Sequence, residues 1–186
     1  TKLKKQKTFQ VVSNLPYYIT APILFKLIEN HLLIKRAVLM MQKEVADRIL
    51  ASPGGKEYGR LTLGMRYAAE VKHAFNVPPA CFTPKPEVSS TVLEFLFYPD
   101  KDLLSPEKEK KVFSLIALAF SQRRKTFLSL LSHHPQMNIG RDAWMKALDA
   151  CGLKSTARGE ELLFKDFLAL SKFLPDTVLK KRHERN

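Results

Sequence analysis

The rhythm of apolar and polar positions changes several times along the chain and divides it into two halves. Phe9 to Ser13 alternates around Val11 and Val12 and predicts a strand. The strand runs into Asn14-Leu15-Pro16-Tyr17-Tyr18-Ile19, a polar, proline-stiffened loop. Thr20 then reads as a helix N-cap with Pro22 in the first turn, where a missing N–H is harmless. Ile23, Leu24, Leu27 and Ile28 form its apolar stripe to about Asn30. Arg36 to Gln42 is a continuous apolar run bounded by charge, the mark of a buried strand. Lys43 to Ala51 predicts a helix with Val45, Ile49 and Leu50 inward and Glu44 and Arg48 paired outward. Ser52 to Gly55 is a turn, and Leu61 to Ala69, although ambiguous in period, favours helix. Val71 to Val77 predicts a strand ended by Pro78 and Pro79, and Thr91 to Tyr98 another. Between them, Cys81 to Ser90 holds two further prolines and predicts an extended, stiff loop.

The pattern changes at Pro99-Asp100-Lys101-Asp102. Ser105-Pro106 opens a helix to about Ser121, with Val112, Leu115, Ile116 and Ala119 at helical spacing. Further helices are predicted over 125–131, 141–150 and 165–173, with Gly152 as the residue that closes the one over 141–150. No strand pattern follows residue 98. The expectation is an α/β portion over 1–99, the closing half of an α/β domain, then a small all-helical domain over 100–186 that ends in a frayed basic tail at 180–185.

Charge adds what periodicity cannot. Lys and Arg number 31 against 18 Asp and Glu, a net +13. Residues 1–99 carry 14 basic and 7 acidic side chains, and residues 100–186 carry 17 and 11, so the basic character is not confined to a tail. A polyanionic partner is favoured over a merely soluble basic protein. No apolar stretch approaches the ~20 residues of a membrane span, and nothing resembles a signal peptide. Cys81 and Cys151 are far apart, lack ligand spacing, and read as reduced structural residues of a cytoplasmic protein.

Three groups could carry chemistry. Asn14 stands with Tyr17 and Tyr18: it offers an amide oxygen, Leu15 a backbone carbonyl held by Pro16, and Tyr17 a flat face. At a strand's carboxyl end these can hold a flat ring bearing an amino group. A turn asparagine followed by core tyrosines explains the same residues equally well. Phe82, in the stiff loop, reads either as a second stacking wall or as a plug at the sheet's end. Gln122-Arg123-Arg124-Lys125 reads as a phosphate-binding cluster or a solvated helix end, and the net charge favours phosphate. His133-His134 lacks partners at ligand spacing, so no metal site is expected; no catalytic triad or P-loop is present.

Taken together, these segments resemble the rRNA adenine N6-dimethyltransferase family (the bacterial KsgA type and its relatives). Asn14-Leu15-Pro16-Tyr17 is similar to the family's catalytic Asn-Leu-Pro-Tyr motif. Met41 to Arg48, Tyr58 to Thr62, Val77 to Pro79, Phe82 to Ser90 and Phe120 to Thr126 follow in the family's order. Arg158-Gly159-Glu160-Glu161-Leu162 approximates an Arg-Ala-Glu-Glu-Leu segment, with Gly in the Ala place. The resemblance implies the carboxyl-terminal half of a Rossmann-like class I methyltransferase domain followed by a helical rRNA-binding domain. It implies S-adenosyl-L-methionine as cofactor, with Asn14 bordering it. It implies two adjacent adenosines near the 3′ end of small-subunit rRNA as substrate, in the pre-ribosomal small subunit. Asn14, Leu15, Pro16, Tyr17 and Phe82 would hold the adenine, and Arg123, Arg124 and Lys125 would grip RNA.

The departure is as specific as the match. The family's Gly-rich loop and ribose-binding acidic residue, its main cofactor-binding elements, are absent from this sequence; the seven glycines contain no G-x-G-x-G. The chain resembles the carboxyl-terminal two-thirds of the family protein, which leaves the first strand with a free edge for another chain or a second copy to cover. Two rivals stand beside this reading: a large-subunit adenine methylase of the macrolide-resistance type, and a non-catalytic RNA-binding assembly factor.

Overall fold

The computed structural model describes residues 8–99 and 103–175; the basic tail expected at 180–185 lies outside them. These residues divide into two compact units, one of residues 8–51 and Glu57–Leu103, the other of Ser52–Lys56 and residues 104–175.

The first unit is a four-stranded sheet with helices. Its elements are β1 (Phe9–Asn14), α1 (Thr20–Glu29), β2 (Ile34–Gln42), α2 (Lys43–Leu50), α3 (Arg60–Ala68), β3 (Ala69–Val77) and β4 (Ser90–Phe97). The strand order is β1-β2-β4-β3. β1 pairs parallel with β2, while β4 runs antiparallel to both β2 and β3. The carboxyl ends of β1, β2 and β3 and the amino end of β4 therefore share one end of the sheet.

All three helices feed one core. Leu24 and Ile28 of α1, Ala46 and Ile49 of α2 and Met65 of α3 pack with Ala37, Leu39 and Met41 of β2 and Leu93 and Phe95 of β4. Burying a side chain of this size stabilises the fold by about 1.5–3 kcal/mol. Gly64 admits α1 closely: a Cβ there would lie 2.9 Å from Ile28 Cδ1. The Thr62 hydroxyl, fully buried, donates to Arg48 O at 2.5 Å and accepts from Gly59 N at 3.1 Å, joining α3 to the end of α2.

The opposite face of the sheet is different. Paired residues point to the same side, so Asn14, Met40, Val92 and Phe75 form one row and Val12, Val38, Glu94 and Lys72 the next. Val12 is 82% exposed and Phe75 57%, whereas Val38 and Met40 are half-buried. The apolar run of β2 is thus buried on one side only. Phe75 reaches the outer face because the β3–β4 register shifts between His73 and Phe75. Such a bulge inserts one extra residue and reverses the side on which the following side chains lie. Past it, Asn76 Oδ1 accepts from the buried Thr91 hydroxyl at 2.9 Å.

Several boundaries shift by one to three residues from the sequence expectation, and two of the shifts have a visible cause. Thr20 is not the cap of α1 but its first residue. A 3₁₀ turn over Tyr17–Ile19 runs directly into the helix, and the Thr20 hydroxyl donates back to Pro16 O at 2.9 Å. The helix expected from Lys125 begins at Phe127, because Thr126 is the cap and its Oγ1 accepts from Ser129 N at 3.3 Å.

In the second unit the regular elements among the described residues are helices: α4 (Pro106–Ala119), α5 (Phe127–His133), α6 (Arg141–Ala150) and α7 (Phe164–Leu170). Trp144 is fully buried and its Nε1–H donates to Met137 O at 2.9 Å. Phe127 and Phe167 meet edge to face at 5.8 Å. Gly152, at φ 70°, closes α6 as the sequence predicts. Gly159 lies so close to the end of α4 that a Cβ would sit 2.5 Å from Ala119 O.

Neither cysteine is bonded. Cys81 is exposed, which corrects its reading as a structural residue, whereas Cys151 is half-buried. Burial pushes the Cys151 thiol pKa up, Asp166 adds to the rise and Lys172 opposes it. Among the described residues no helix is long and apolar enough to cross a membrane.

Candidate nucleic-acid site

The candidate site grows from the shared end of the sheet. β1 stops at Asn14 because Pro16, at φ −61° and ψ 128°, cannot donate to a ladder and turns the chain into the 3₁₀ turn. Leu15 is buried and its N–H donates to Met40 O at 2.9 Å, so the loop leaves the sheet from a fixed point. Pro16 O then accepts from Ile19 N–H at 3.2 Å and from the Thr20 hydroxyl. Asn14 is exposed and lies on the outer-face row with Met40.

Tyr17 is oriented from a distant part of the sequence. Its hydroxyl and that of Ser90 are 2.6 Å apart. Ser90 is fully buried and pairs with Gln42 on one side and Val77 on the other. One hydroxyl thereby joins the loop after β1 to the end of β2, the end of β3 and the start of β4. Lys43 N–H donates to Ser89 O at 2.9 Å beside it. Phe82 sits in the loop between β3 and β4, half-buried, with its N–H donated to Pro79 O at 3.2 Å. The sequence-predicted group Asn14, Leu15, Pro16, Tyr17 and Phe82 therefore belongs to segments that converge on one end of the sheet. Ser90 was not singled out for a role in the sequence. The only signal for it there is a serine pair before an apolar strand.

A concavity of about 360 Å³ lies against the same end, lined by Gln42, Lys43, Glu44, Asp47, Glu57, Val88 and Ser89. Its carboxylates are engaged: Asp47 with Lys43 at 2.7 Å, Glu57 with Arg48 at 3.1 Å, and Glu44 with Arg48. Among the described residues no group of three or more His, Cys, Asp or Glu side chains is placed to hold a metal ion.

Arg123, Arg124 and Lys125 lie in the second unit, in the turn between α4 and α5, and all three are exposed. Arg123 Nε is 3.5 Å from Glu160 Oε2, so the Arg-Gly-Glu-Glu-Leu segment holds one member of the cluster.

The family model for ribosomal RNA adenine dimethylases matches residues 1–173. The chain belongs to the ribosomal RNA adenine dimethylase family. Among members of this family, the ribosomal RNA small subunit methyltransferase A of Lachnoclostridium phytofermentans is 39% identical over 172 residues, 92% of this chain and 59% of the relative. The corresponding protein of Desulforapulum autotrophicum is 43% identical over 161 residues, 87% of this chain and 56% of the relative. The chain thus spans under two-thirds of the length of these dimethylase relatives. A crystal structure of a dimethyladenosine transferase from Plasmodium falciparum matches with a TM-score of 0.74 and 28% identity, covering 91% of this chain and 67% of that one. The 23S rRNA methyltransferase ErmE matches with a TM-score of 0.64 and 25% identity, covering 94% of this chain and 68% of that one.

Proposed function

We propose that this chain is the base-holding part of an S-adenosylmethionine-dependent enzyme that dimethylates N6 of adjacent adenosines near the 3′ end of small-subunit rRNA. The observation that carries the reading is the Tyr17–Ser90 contact. It fixes the Asn14–Tyr17 loop where the carboxyl ends of three strands and the Phe82 loop meet. The relatives' name, small subunit methyltransferase A, supports the choice of rRNA.

In this reading Asn14 Oδ1 and the Leu15 carbonyl accept hydrogen bonds from the adenine N6 amine. The nitrogen lone pair is delocalised into the ring and makes a poor nucleophile. Accepting both N–H groups in the first transfer, and the one that remains in the second, favours a pyramidal nitrogen and fixes its direction, which is orientation with electrostatic support rather than base catalysis. Tyr17 and Phe82 clamp a base flipped out of its stack. Arg123, Arg124 and Lys125 bind phosphates and position the RNA without reading its sequence.

The residues present fit only one border of the cofactor. A nucleoside cofactor of this size needs close backbone approach at a Gly-rich turn and a carboxylate for its ribose. Here β1 is followed by Leu15-Pro16, and the carboxylates beyond β2 are paired with Lys43 and Arg48. Asn14 is the one residue assigned to it. Among the described residues β1 is an edge strand, and that edge and the open sheet face support the related reading that residues 1–99 form the closing half of a Rossmann-like domain, and residues 100–186 the helical rRNA-binding domain. The same edge would support self-association of this chain. Its site of action is the cytoplasm, on the pre-ribosomal small subunit.

Titrating S-adenosylmethionine into the 186-residue chain is expected to give no binding heat; a micromolar isotherm would overturn the assignment of Asn14 as its only border. Where this sequence is joined to a cofactor-binding half, Asn14→Ala is expected to lower transfer by about 10²–10³-fold while RNA retention survives. Transfer near the parent rate would remove Asn14 from its role. The fold match to ErmE favours one second reading, a large-subunit methylase. Mass-spectrometric mapping of the methylated adenosines in rRNA separates the two.

A further inference from the structure

The Asn14–Tyr17 site ends in a second tyrosine whose environment is the opposite of the first. Tyr17 is half-buried and pinned through its hydroxyl to Ser90. Tyr18 is 87% exposed, more than any other exposed large hydrophobic side chain among the described residues. Leaving an aromatic ring of this size in water forgoes the burial that usually stabilises it.

Nor is Tyr18 exposed because it sits on a loose loop. Its backbone lies inside the 3₁₀ turn Tyr17–Ile19, closed by Ile19 N–H to Pro16 O at 3.2 Å and by the Thr20 hydroxyl to the same carbonyl at 2.9 Å. The turn leads straight into α1, whose first residue, Thr20, is almost fully buried. A ring with two side-chain torsions on a locked backbone loses little entropy when something stacks on it.

We infer that Tyr18 is a stacking platform for a nucleobase of the RNA strand next to the flipped adenine, and so helps set where the strand lies when the adenine is held. The inference rests on the proposed function. The ring is held one residue from Tyr17, and adjoining nucleotides of a splayed single strand are spaced on a similar scale. Single-stranded RNA is recognised by such aromatic surfaces, and each stacked base contributes about 1–3 kcal/mol. The partner is therefore RNA that is single-stranded where it leaves the target toward Tyr18.

The test uses the 186-residue chain and a short single-stranded RNA with two adjacent adenosines and 2-aminopurine at the position flanking them. Titration of the parent is expected to quench the 2-aminopurine fluorescence as the base stacks. Tyr18→Ala is expected to abolish the quench and weaken binding about 5- to 100-fold, while Tyr18→Phe retains both. The slope of log Kd against log salt is expected to stay at the parent value in Tyr18→Ala and to fall by about one in Arg124→Ala. Thermal melting of Tyr18→Ala should match the parent, since the ring is solvated. Equal affinity and quench in parent and Tyr18→Ala, with Phe82→Ala weakened, would overturn this inference and leave the proposed function standing. A parent chain that does not bind the RNA would overturn both.

Discussion

The two faces of the sheet are made from the same four strands and behave as different surfaces. On one, Ala37, Leu39, Met41, Leu93 and Phe95 have no exposure at all. On the other, Val12 and Phe75 stand in solvent, with Val38, Met40 and Leu96 only half-covered. The residue types are similar, so the difference comes from what is packed on each side: α1, α2 and α3 all contribute to the first. The comparison teaches that stability and the candidate chemistry are assigned to opposite faces. Asn14 stands on the open one, in a row with Met40 and Val92.

The sharpest way to break this contrast is to remove equal volumes from both faces. Leu39→Ala, on the covered face, is expected to destabilise the first unit by about 2–5 kcal/mol in urea unfolding. Met40→Ala, its neighbour on the open face, should cost under about 1 kcal/mol; equal losses would mean that both faces are packed. Next in size is the junction at the sheet's end. Tyr17→Phe removes the hydroxyl that pairs with the buried Ser90 and is expected to cost about 1–3 kcal/mol. Adding Ser90→Ala should recover much of that loss in a double-mutant cycle. On the open face itself, Val12→Lys is expected to change stability by less than about 0.5 kcal/mol while shifting sedimentation of the chain toward monomer. An unchanged sedimentation profile would show that the β1 edge does not self-pair. A small, salt-dependent effect belongs to Arg36 and Glu94, joined at 2.7 Å across the outer face. Their coupling is expected to be about 0.2–1 kcal/mol and to fall with salt.

The order of strands and helices was legible because each element carries its own period, and the helix at Arg141–Ala150 was legible to the residue. What escaped the sequence was relational. The apolar run Arg36–Gln42 looks alike on both sides, so it cannot say which side is covered. The period of β3 does not announce its bulge, since Ala74 fits either phase. The cap at Thr126 is hidden in the sequence because the basic residues before it also suit a helix. In the site, Asn14, Pro16 and Tyr17 were visible as a local group. Tyr17's partner Ser90 lies 73 residues away, and only the pairing of β4 with its neighbours brings it near.

The bulge in β3 has a consequence for which changes the chain can absorb. Ala74 is the residue without a partner on β4, and everything after it owes its side of the sheet to that one extra position. Deleting Ala74 would send Phe75 into a filled core, swing Asn76 outward and strand the Thr91 hydroxyl it now satisfies. Replacing residues one for one along β3 disturbs none of this. Among descendants of this sequence, β3 should therefore vary in spelling far more readily than in length.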